Sequence, residues 1–273
     1  MVAREPHEAR FAGLGLWLAP PPAGVADTRL LERAVAAALA APDGTRSLWV
    51  SESTPHTATS APYEAYSLLG ALAVRVGGVR LGVVADGRER RAPSILAKIV
   101  TGLDVISHGR AVLSLDADAG DRAGAERLSE ALNVSRMVLE DGHPTFAGRI
   151  YSVDGAVNRP APVQAGGVPL VVFVHGRGPA RWALLDESAR TADAVVVDDR
   201  PGAVGGAVRA VAAHRRGATG PDRPVEVLAA VRAGVGPGPP DVAGLRSAGA
   251  TGVLVAVPHP WEPETVAGLA GLW

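Results

Sequence analysis

Polar side chains that could do chemistry recur at the points where short apolar runs of the sequence end. Carboxylates and imidazoles in such places can transfer protons, and guanidinium groups can bind anions. Taken singly, each of these residues is better explained as an exposed loop residue or a helix cap. Taken together they predict one polar rim around a pocket, formed by Glu52, Asp86, Arg88, Asp116, Asp118, His175, Arg177, Asp199, Arg200, Arg232 and His259.

The segment His175–Pro179 offers a second kind of chemistry, the binding of a phosphate group. Gly176 and Gly178 flank Arg177, and a predicted helix begins at Ala180. Free backbone N–H groups and the positive end of a helix favour an anion at such a place. The spacing fits equally well a loop whose glycines only turn the chain from strand to helix.

Several common chemistries are excluded by what the sequence lacks. Cysteine is absent, which excludes disulfides, thiolate catalysis, Cys-ligated zinc and iron–sulfur clusters. The seven histidines show no HExxH or HxH spacing, so a metal site has no support, and there is neither a GxSxG elbow nor a Walker loop. With 27 basic and 28 acidic residues the net charge is −1, which favours neither nucleic acid nor a membrane surface as partner.

The elements that must position these residues are short β-branched runs alternating with stretches of helical period. Near-continuous apolar runs are typical of strands that are covered on both faces. The predicted strands are Gly13–Ala19, Ser47–Glu52, Val79–Ala85, Ala111–Leu115, Pro169–Val174, Ala194–Asp198, Val225–Val231 and Gly252–Val257. The predicted helices are Thr28–Ala41, with Asp27 as its cap, Tyr63–Val76, Pro93–Ser107, Ala123–Leu139, Ala180–Thr191, Ala203–His214, Val242–Ala248 and Glu262–Leu272.

Eight strands, each followed by a helix, predict an α/β fold of the (β/α)₈ TIM barrel type, formed by residues 1–273 as one domain. The 273 residues give about 34 per unit, close to the ~30 of a βαβ unit. His143–Gly167 interrupts the alternation and is predicted to be an excursion between the fourth helix and the fifth strand. An open doubly wound sheet is the alternative, but Pro20–Pro22 follow the first strand where its GxGxxG turn would stand.

Three stretches in the expected order resemble the luciferase-like monooxygenase family of (β/α)₈ oxidoreductases. The longest is Val79–Arg110, with Arg80–Gly82, Pro93, Leu103–Asp104 and Ser107–Arg110 matching the family pattern. Phe146–Tyr151 and Val174–Asp193 match more weakly. Leu103–Asp104 and Ser107–Arg110 are expected to fix the third helix against the fourth strand, so this part of the resemblance indicates fold more than chemistry.

The resemblance implies a reduced FMN or deazaflavin cofactor, coenzyme F-420, with a preference for F-420. Members often carry an acidic residue and then a histidine after the second strand. Here Glu52 matches, Ser53 replaces the histidine, and His56 is the candidate substitute, so Glu52 and His56 are the predicted catalytic proton donors. The predicted cofactor-binding residues are Ser53, Ala85, Asp116, His175, Gly176, Arg177 and Gly178.

The residues after the fourth strand depart from the family, which has a glycine-rich run where this chain has Asp116 and Asp118. Carboxylates beside an anionic cofactor in a partly desolvated pocket are unfavourable by several kcal/mol, to order of magnitude. Protonation of Asp116, or an ion pair with Arg88 or Arg177, would remove this repulsion.

Two functions remain open at this point. One is a flavin- or deazaflavin-dependent oxidoreductase that acts on a small organic substrate by hydride transfer or flavin–oxygen chemistry. The other is a cofactor-free barrel that serves as a structural or regulatory partner of a catalytic homologue. A metal-dependent barrel hydrolase is less favoured because ligand spacing is missing. The resemblance also implies a homodimer or a heterodimer with a homologue, and the lack of an apolar leader or spanning run predicts a cytoplasmic protein with no membrane contact.

Overall fold

The computed structural model describes residues 9–22, 25, 27–51, 63–84, 91–117, 122–140, 143–164, 167–175, 179–217, 225–233 and 240–273. Their strands are β1 (Gly13–Leu18), β2 (Ser47–Ser51), β3 (Arg80–Val84), β4 (Leu113–Ala117), β5 (Phe146–Ala147), β6 (Ser152–Val153), β7 (Leu170–Val174), β8 (Ala194–Asp198), β9 (Glu226–Arg232) and β10 (Gly252–Val257). Strands β5 and β6 form a separate antiparallel hairpin. The other eight are parallel and neighbour one another in the order β3-β2-β1-β10-β9-β8-β7-β4.

The two end strands of this sheet, β3 and β4, meet and nearly close it into a cylinder. Leu81 and Ala111 form a parallel bridge. The Leu81 N–H donates to the Arg110 carbonyl at 2.8 Å, and the Val112 N–H donates to the Leu81 carbonyl at 2.9 Å. The predicted (β/α)₈ barrel is therefore confirmed, and the open doubly wound sheet is excluded.

Helices cover the outside of the barrel between successive strands, as the alternation predicts. They are α1 (Leu30–Leu39), α2 (Ala65–Ala73), α3 (Pro93–Ile106), α4 (Arg122–Glu140), α5 (Pro179–Thr191), α6 (Pro201–Gly217), α7 (Val242–Ser247) and α8 (Pro263–Ala267). The prediction that Asp27 caps α1 is wrong, because Arg29 occupies the cap position. The Asp27 carboxylate instead accepts from the Arg29 N–H at 2.9 Å and lies 2.9 Å from Nε2 of His259.

Three aromatic rings fill the middle of the barrel, where every second strand residue points inward. Trp49 is fully buried, and the rings of Phe11 and Phe173 lie 6.3 and 5.5 Å from it between centroids. A Cβ on Gly82 would lie 2.4 Å from the Trp49 ring, so only glycine leaves room for the indole. This aromatic layer of Phe11, Trp49 and Phe173 separates the two ends of the barrel interior.

The excursion between α4 and β7 lies against the amino end of the barrel. The Glu130 carboxylate on α4 accepts three backbone N–H bonds, from Arg149, Ile150 and Tyr151, at 2.7 to 2.9 Å. These bonds hold the pKa of Glu130 below its usual range, and the bond from the Tyr151 N–H contributes most. The predicted excursion is thus an anchored hairpin, remote from the carboxyl ends of the strands.

The family-like stretch on α3 also has a structural role. One Asp104 oxygen accepts from the Val163 N–H at 2.7 Å, and the other accepts from Nε2 of Gln164 at 2.6 Å. Arg110 donates to the carbonyls of Val79 and Ala73, at 3.1 and 2.7 Å. Asp104 therefore ties α3 to the excursion and accepts the Ala111 N–H, just before β4, at 3.4 Å, as predicted. Arg110 instead holds the end of α2 and the residue before β3.

Candidate active site

A cleft of about 400 Å³ opens at the carboxyl ends of the strands, on the outer side of the aromatic layer. Its apolar wall comes from residues of β1, β3, β7, β8 and β9, chiefly Trp17, Val84, Phe173, Val196 and Ala230. Its polar residues are His175, Asp198, Asp199, Arg200 and Arg232. An apolar concave surface with a few convergent polar groups is the usual form of a small-molecule site, and the carboxyl end is where TIM barrels carry theirs.

Asp116 and His175 are the two predicted cofactor-binding residues in the described part of the chain, and they contact each other. Asp116 lies inside β4, one residue beyond its predicted end, and is paired in register with Phe173 on β7. His175 is the first residue after β7, on the same inward side as Phe173. Nε2 of His175 lies 3.3 Å from Oδ2 of Asp116, whose side chain is only 4% exposed, whereas that of His175 is 58% exposed.

The His175 ring is held on a second side by an aromatic neighbour. It lies nearly parallel to the Phe173 ring, at an interplanar angle of 17° and a centroid separation of 6.4 Å. A buried carboxylate behind an exposed imidazole holds the ring in place and stabilises its protonated form. The arrangement can deliver a proton into the cleft and recover one from solvent.

The contact between Asp116 and His175 can offset the repulsion expected between Asp116 and an anionic cofactor, but with a different cation from the predicted ones. The sequence suggested Arg88 or Arg177 as the compensating cation, and both lie outside the described residues. The described partner is His175. The alternation of inward and outward residues along the two strands could have indicated it, since inward residues of similar register on neighbouring parallel strands lie side by side in the barrel wall.

Asp198 organises the neighbouring part of the cleft, at the end of β8, which pairs with β7. Arg200 binds it with two hydrogen bonds, from Nε at 2.7 Å and from a terminal nitrogen at 2.6 Å, and a terminal nitrogen of Arg181 lies 3.7 Å away. Partial burial alone would raise the pKa of Asp198, but the bonds from Arg200 and the charge of Arg181 outweigh it and bring that pKa below its usual range. Asp198 is therefore an ionised carboxylate between two cations.

The sequence does not indicate that Arg181 belongs to this part of the site. It lies within a predicted helix, and its neighbours in the sequence give no sign that its side chain is buried. Its side chain is 8% exposed, and burial lowers the pKa of its guanidinium. Two of its nitrogens, Nε and one terminal nitrogen, have no hydrogen-bond partner. A buried arginine with this pairing fixes the position of Asp198 but makes no contact with the cleft wall described above.

The remaining predicted residues divide into those with a described position and those without. Glu52, Ser53, His56, Ala85, Gly176, Arg177 and Gly178 lie outside the described residues, as do Asp86, Arg88 and Asp118. Ser51, which directly precedes Glu52, ends β2 and accepts a 2.8 Å hydrogen bond from the Trp17 indole at the cleft wall. His259 is not part of the cleft wall; it is bonded to Asp27, whose pKa it lowers, and packs edge-on against Trp261.

None of the helices in the described ranges combines the length and apolarity that a membrane crossing requires. Nor do those ranges contain a group of three or more acidic, histidine or cysteine side chains placed to hold a metal ion.

Comparison with known proteins identifies the family. The model of the luciferase-like monooxygenase family matches residues 17–242. The chain belongs to this family. Membership confirms the resemblance seen in the sequence and supports the interpretation of the chain as an oxidoreductase enzyme.

Individual relatives in this family differ in cofactor and reaction. A 5,10-methylenetetrahydromethanopterin reductase of Archaeoglobus fulgidus is 26% identical over 144 residues, which cover 49% of this chain but only 40% of that reductase. The structure of the coenzyme F-420-dependent tetrahydromethanopterin reductase from Methanopyrus kandleri superposes with a TM-score of 0.73 at 16% identity, covering 95% of this chain and 97% of the other. The oxygenating constituent of 3,6-diketocamphane monooxygenase from Pseudomonas putida was solved with FMN. It superposes with a TM-score of 0.60 at 17% identity, covering 81% of this chain and 67% of the other.

Proposed function

We propose that this protein is an oxidoreductase that binds coenzyme F-420 or FMN in the cleft at the carboxyl ends of the strands and acts on a small organic substrate. The observation that carries the proposal is the cleft itself: in a member of this family, an apolar wall and a group of ionisable side chains converge at the end of the barrel used for catalysis. Nothing comparable is needed for a purely structural barrel.

The residues present fit a flavin-type ring. Trp17, Phe173 and Val84 offer an apolar surface for a planar heterocycle, and the cleft volume lies in the ordinary range for small-molecule sites. The feature that argued against a bound anion was the Asp116 carboxylate. Its contact with His175 at 3.3 Å supplies a compensating charge whenever the imidazole is protonated.

Hydride chemistry with F-420 is the more specific proposal. A reduced deazaflavin supplies a hydride, and the protein has to orient the substrate, exclude water and supply or remove a proton. The sequence relative from Archaeoglobus fulgidus is named a reductase, which supports reduction over oxygenation.

We assign the phosphate group of the cofactor to the segment that follows β7. Gly176, Arg177 and Gly178 precede α5, which begins at Pro179, so the positive end of a helix is close in sequence to these glycines. Glu52 and His56 remain candidate proton donors because they follow β2, whose last residue lies at the same end of the barrel.

Binding in the cleft is tested by calorimetric titration with F-420 and, separately, with FMN. The wild-type protein should bind one of them, and Ala230→Trp, which places an indole on the cleft wall, should weaken that binding at least tenfold. Ala147→Trp is the matched control on the exposed hairpin at the amino end, and it should bind as the wild type does. Absence of binding of either cofactor at high micromolar concentration would contradict the proposal and favour the cofactor-free partner subunit instead.

We further propose that the protein pairs with a second copy or a homologue through α2 and α3. Val74 at the end of α2 and Ile95 and Ile106 of α3 are large apolar side chains that are 69%, 56% and 48% exposed. Such residues on adjoining helices are typical of a subunit interface. Sedimentation velocity should give a dimer for the wild type and a monomer for Ile95→Asp; a monomeric wild type would contradict this pairing.

A further inference from the structure

We propose that His175 is the proton-transfer group of the cleft and that Asp116 is its positioning residue. This inference rests on the proposed function and deepens it. It assigns to His175 and Asp116 a different role from cofactor binding, and it prefers His175, at the end of β7, as proton donor over the candidates Glu52 and His56, which follow β2.

The first observation is the division of burial between the two side chains. Asp116 is almost wholly buried in the barrel wall, while more than half of the His175 side chain is open to the cleft and to solvent. In such a pair the buried carboxylate orients the imidazole, and the exposed imidazole reacts. A carboxylate and an imidazole that merely stabilised the fold would gain nothing from the exposure of the imidazole.

The second observation is the placement of the ring. Nε2 of His175 lies 3.3 Å from Oδ2 of Asp116, a charge contact without hydrogen-bond geometry, and the ring is nearly parallel to that of Phe173. Because strand register sets Asp116 opposite Phe173, two residues before His175, the backbone of β4 and β7 determines this geometry.

The chemistry follows from the charge that develops on the substrate. A bound reduced deazaflavin would supply a hydride to the carbon of a carbonyl or an enone and be oxidised in doing so, and the electron pair of the π bond would move to the oxygen. The imidazolium of His175 would donate a ring proton to that oxygen and become neutral, and the exposed ring would regain a proton from solvent. Proton donation at the developing anion typically accelerates such a reaction by about 10²–10⁴-fold.

Among the described residues, Asp116 on β4 contacts His175 from within the barrel wall. The charged groups that line the cleft are Asp198 at the end of β8, Asp199 and Arg200 after it, and Arg232 at the end of β9. Asp198 is already bound by Arg200. Asp116 is the group in direct contact with the imidazole. Asp199, a cleft carboxylate in a different place, therefore serves as the matched control for the effect of charge alone.

The pair is tested first without any cofactor, by following the His175 imidazole resonances through a pH titration. Asp116→Asn should move the midpoint down by about one pH unit or more, because an adjacent carboxylate stabilises the imidazolium. Asp199→Asn should move it much less. Equal shifts in the two variants would overturn the assignment of Asp116 as the positioning residue.

Proton transfer is tested by rapid mixing of the protein loaded with reduced F-420 against a panel of small enones and aldehydes. His175→Gln should slow reduction at least tenfold while leaving the dissociation constant of F-420 within about threefold of the wild type. Since the protonated ring is the active form, the wild-type rate should fall as pH rises through the His175 midpoint. In Asp116→Asn that fall should occur at lower pH, displaced by the shift seen in the resonances.

The possible failures are distinguishable. If the wild-type protein binds F-420 and reduces an acceptor but His175→Gln reacts within twofold of its rate, the inference is wrong and the proposed function stands. If the fall in rate does not move with Asp116→Asn, the positioning role is wrong. If the wild type binds no cofactor, or reduces none of the panel, the proposed reductase function fails and the inference fails with it.

Discussion

The two ends of the barrel use the same kinds of charged residue for different purposes. At the amino end, carboxylates accept backbone N–H groups: Asp104 holds the excursion, and Glu226 holds Arg10 and Phe11 at 2.6 and 3.0 Å. At the carboxyl end, carboxylates face other charged side chains around a cleft, as Asp116 does with His175 and Asp198 with Arg200. The difference indicates that polar residues at the amino end determine the fold and those at the carboxyl end determine the chemistry.

The family resemblance in the sequence follows this division. Its longest stretch, residues 79–110, contains Asp104 and Arg110, whose contacts are with backbone carbonyls, backbone N–H groups and Gln164 at the amino end. Of the departures from the family, Asp116 lies at the carboxyl end, and Ser53 lies outside the described residues. A well-matched sequence therefore indicates a common scaffold, while the chemistry depends on the residues that differ.

Asp104→Ala should give the largest loss of stability, because Asp104 is fully buried and its removal leaves three partly buried donors of the excursion without an acceptor. We expect the free energy of unfolding to fall by about 3 kcal/mol, measured by urea denaturation. Asp154→Ala, an exposed control in the same excursion, should change it by less than about 0.5 kcal/mol. If Asp104→Ala were instead fully stable but unable to bind cofactor, the assignment of roles to the two ends would be reversed.

Gly82→Ala tests the aromatic layer between the two ends. The new Cβ would lie 2.4 Å from the Trp49 ring, so either the indole or β3 must shift, and we expect a loss of about 2 kcal/mol of unfolding free energy. In Gly102→Ala on α3 the added methyl group meets no atom within 4 Å, and it should be neutral or stabilising by about 0.5 kcal/mol. Similar results for both variants in the same urea series would mean that Trp49 does not fill the barrel as described.

Asp198→Asn should affect binding at the carboxyl end more than stability. Its side chain is 37% exposed, so loss of the pair with Arg200 should lower the unfolding free energy by no more than about 1 kcal/mol. Two arginines would then stand beside the cleft without a carboxylate, and affinity for the anionic cofactor should rise about threefold in low salt. In 0.5 M salt, where the screening length is about 4 Å, calorimetry should show no gain in cofactor affinity. A larger loss of stability with unchanged affinity would contradict the comparison.

Glu226→Gln should have the smallest effect, seen only as a change in pH dependence. Burial is the main cause that raises the pKa of Glu226, outweighing the backbone bonds and nearby arginines that lower it. The folded state therefore holds the proton on Glu226 more tightly than the unfolded chain does, so this stabilisation is present at acid pH and is lost as pH rises through the folded-state pKa. Thermal melts should show the wild type losing stability relative to Glu226→Gln over that rise. A wild type that gained stability there would show that Glu226 is held as a carboxylate.

The fold could be predicted because its signal is local. β8 and β10 occupy Ala194–Asp198 and Gly252–Val257, as the apolar runs indicate, since strands covered on both faces have few polar positions to blur their ends. α8 is shorter than the predicted Glu262–Leu272. It ends at Ala267 and gives way to turns with i to i+3 bonds, before Gly271 adopts a positive φ of 76°.

The site could be predicted only in part because it depends on register between distant segments. The polar rim follows from the parallel direction of the strands, which puts Asp116 and His175 at the same end of the barrel. Their contact requires knowing that β4 and β7 are neighbours with Asp116 opposite Phe173. The burial of Arg181 and the bond from Asp27 to His259 join residues whose local sequence gives no sign of a partner.

Hydrogen exchange of the protein with and without saturating F-420 tests the division between the two ends most directly. We predict slower exchange on binding in peptides that cover residues 113–117, 170–175 and 194–200, at the carboxyl ends of β4, β7 and β8. Peptides that cover residues 143–164, the excursion at the amino end, should exchange unchanged. Protection confined to the excursion, or equal protection at both ends, would contradict the account.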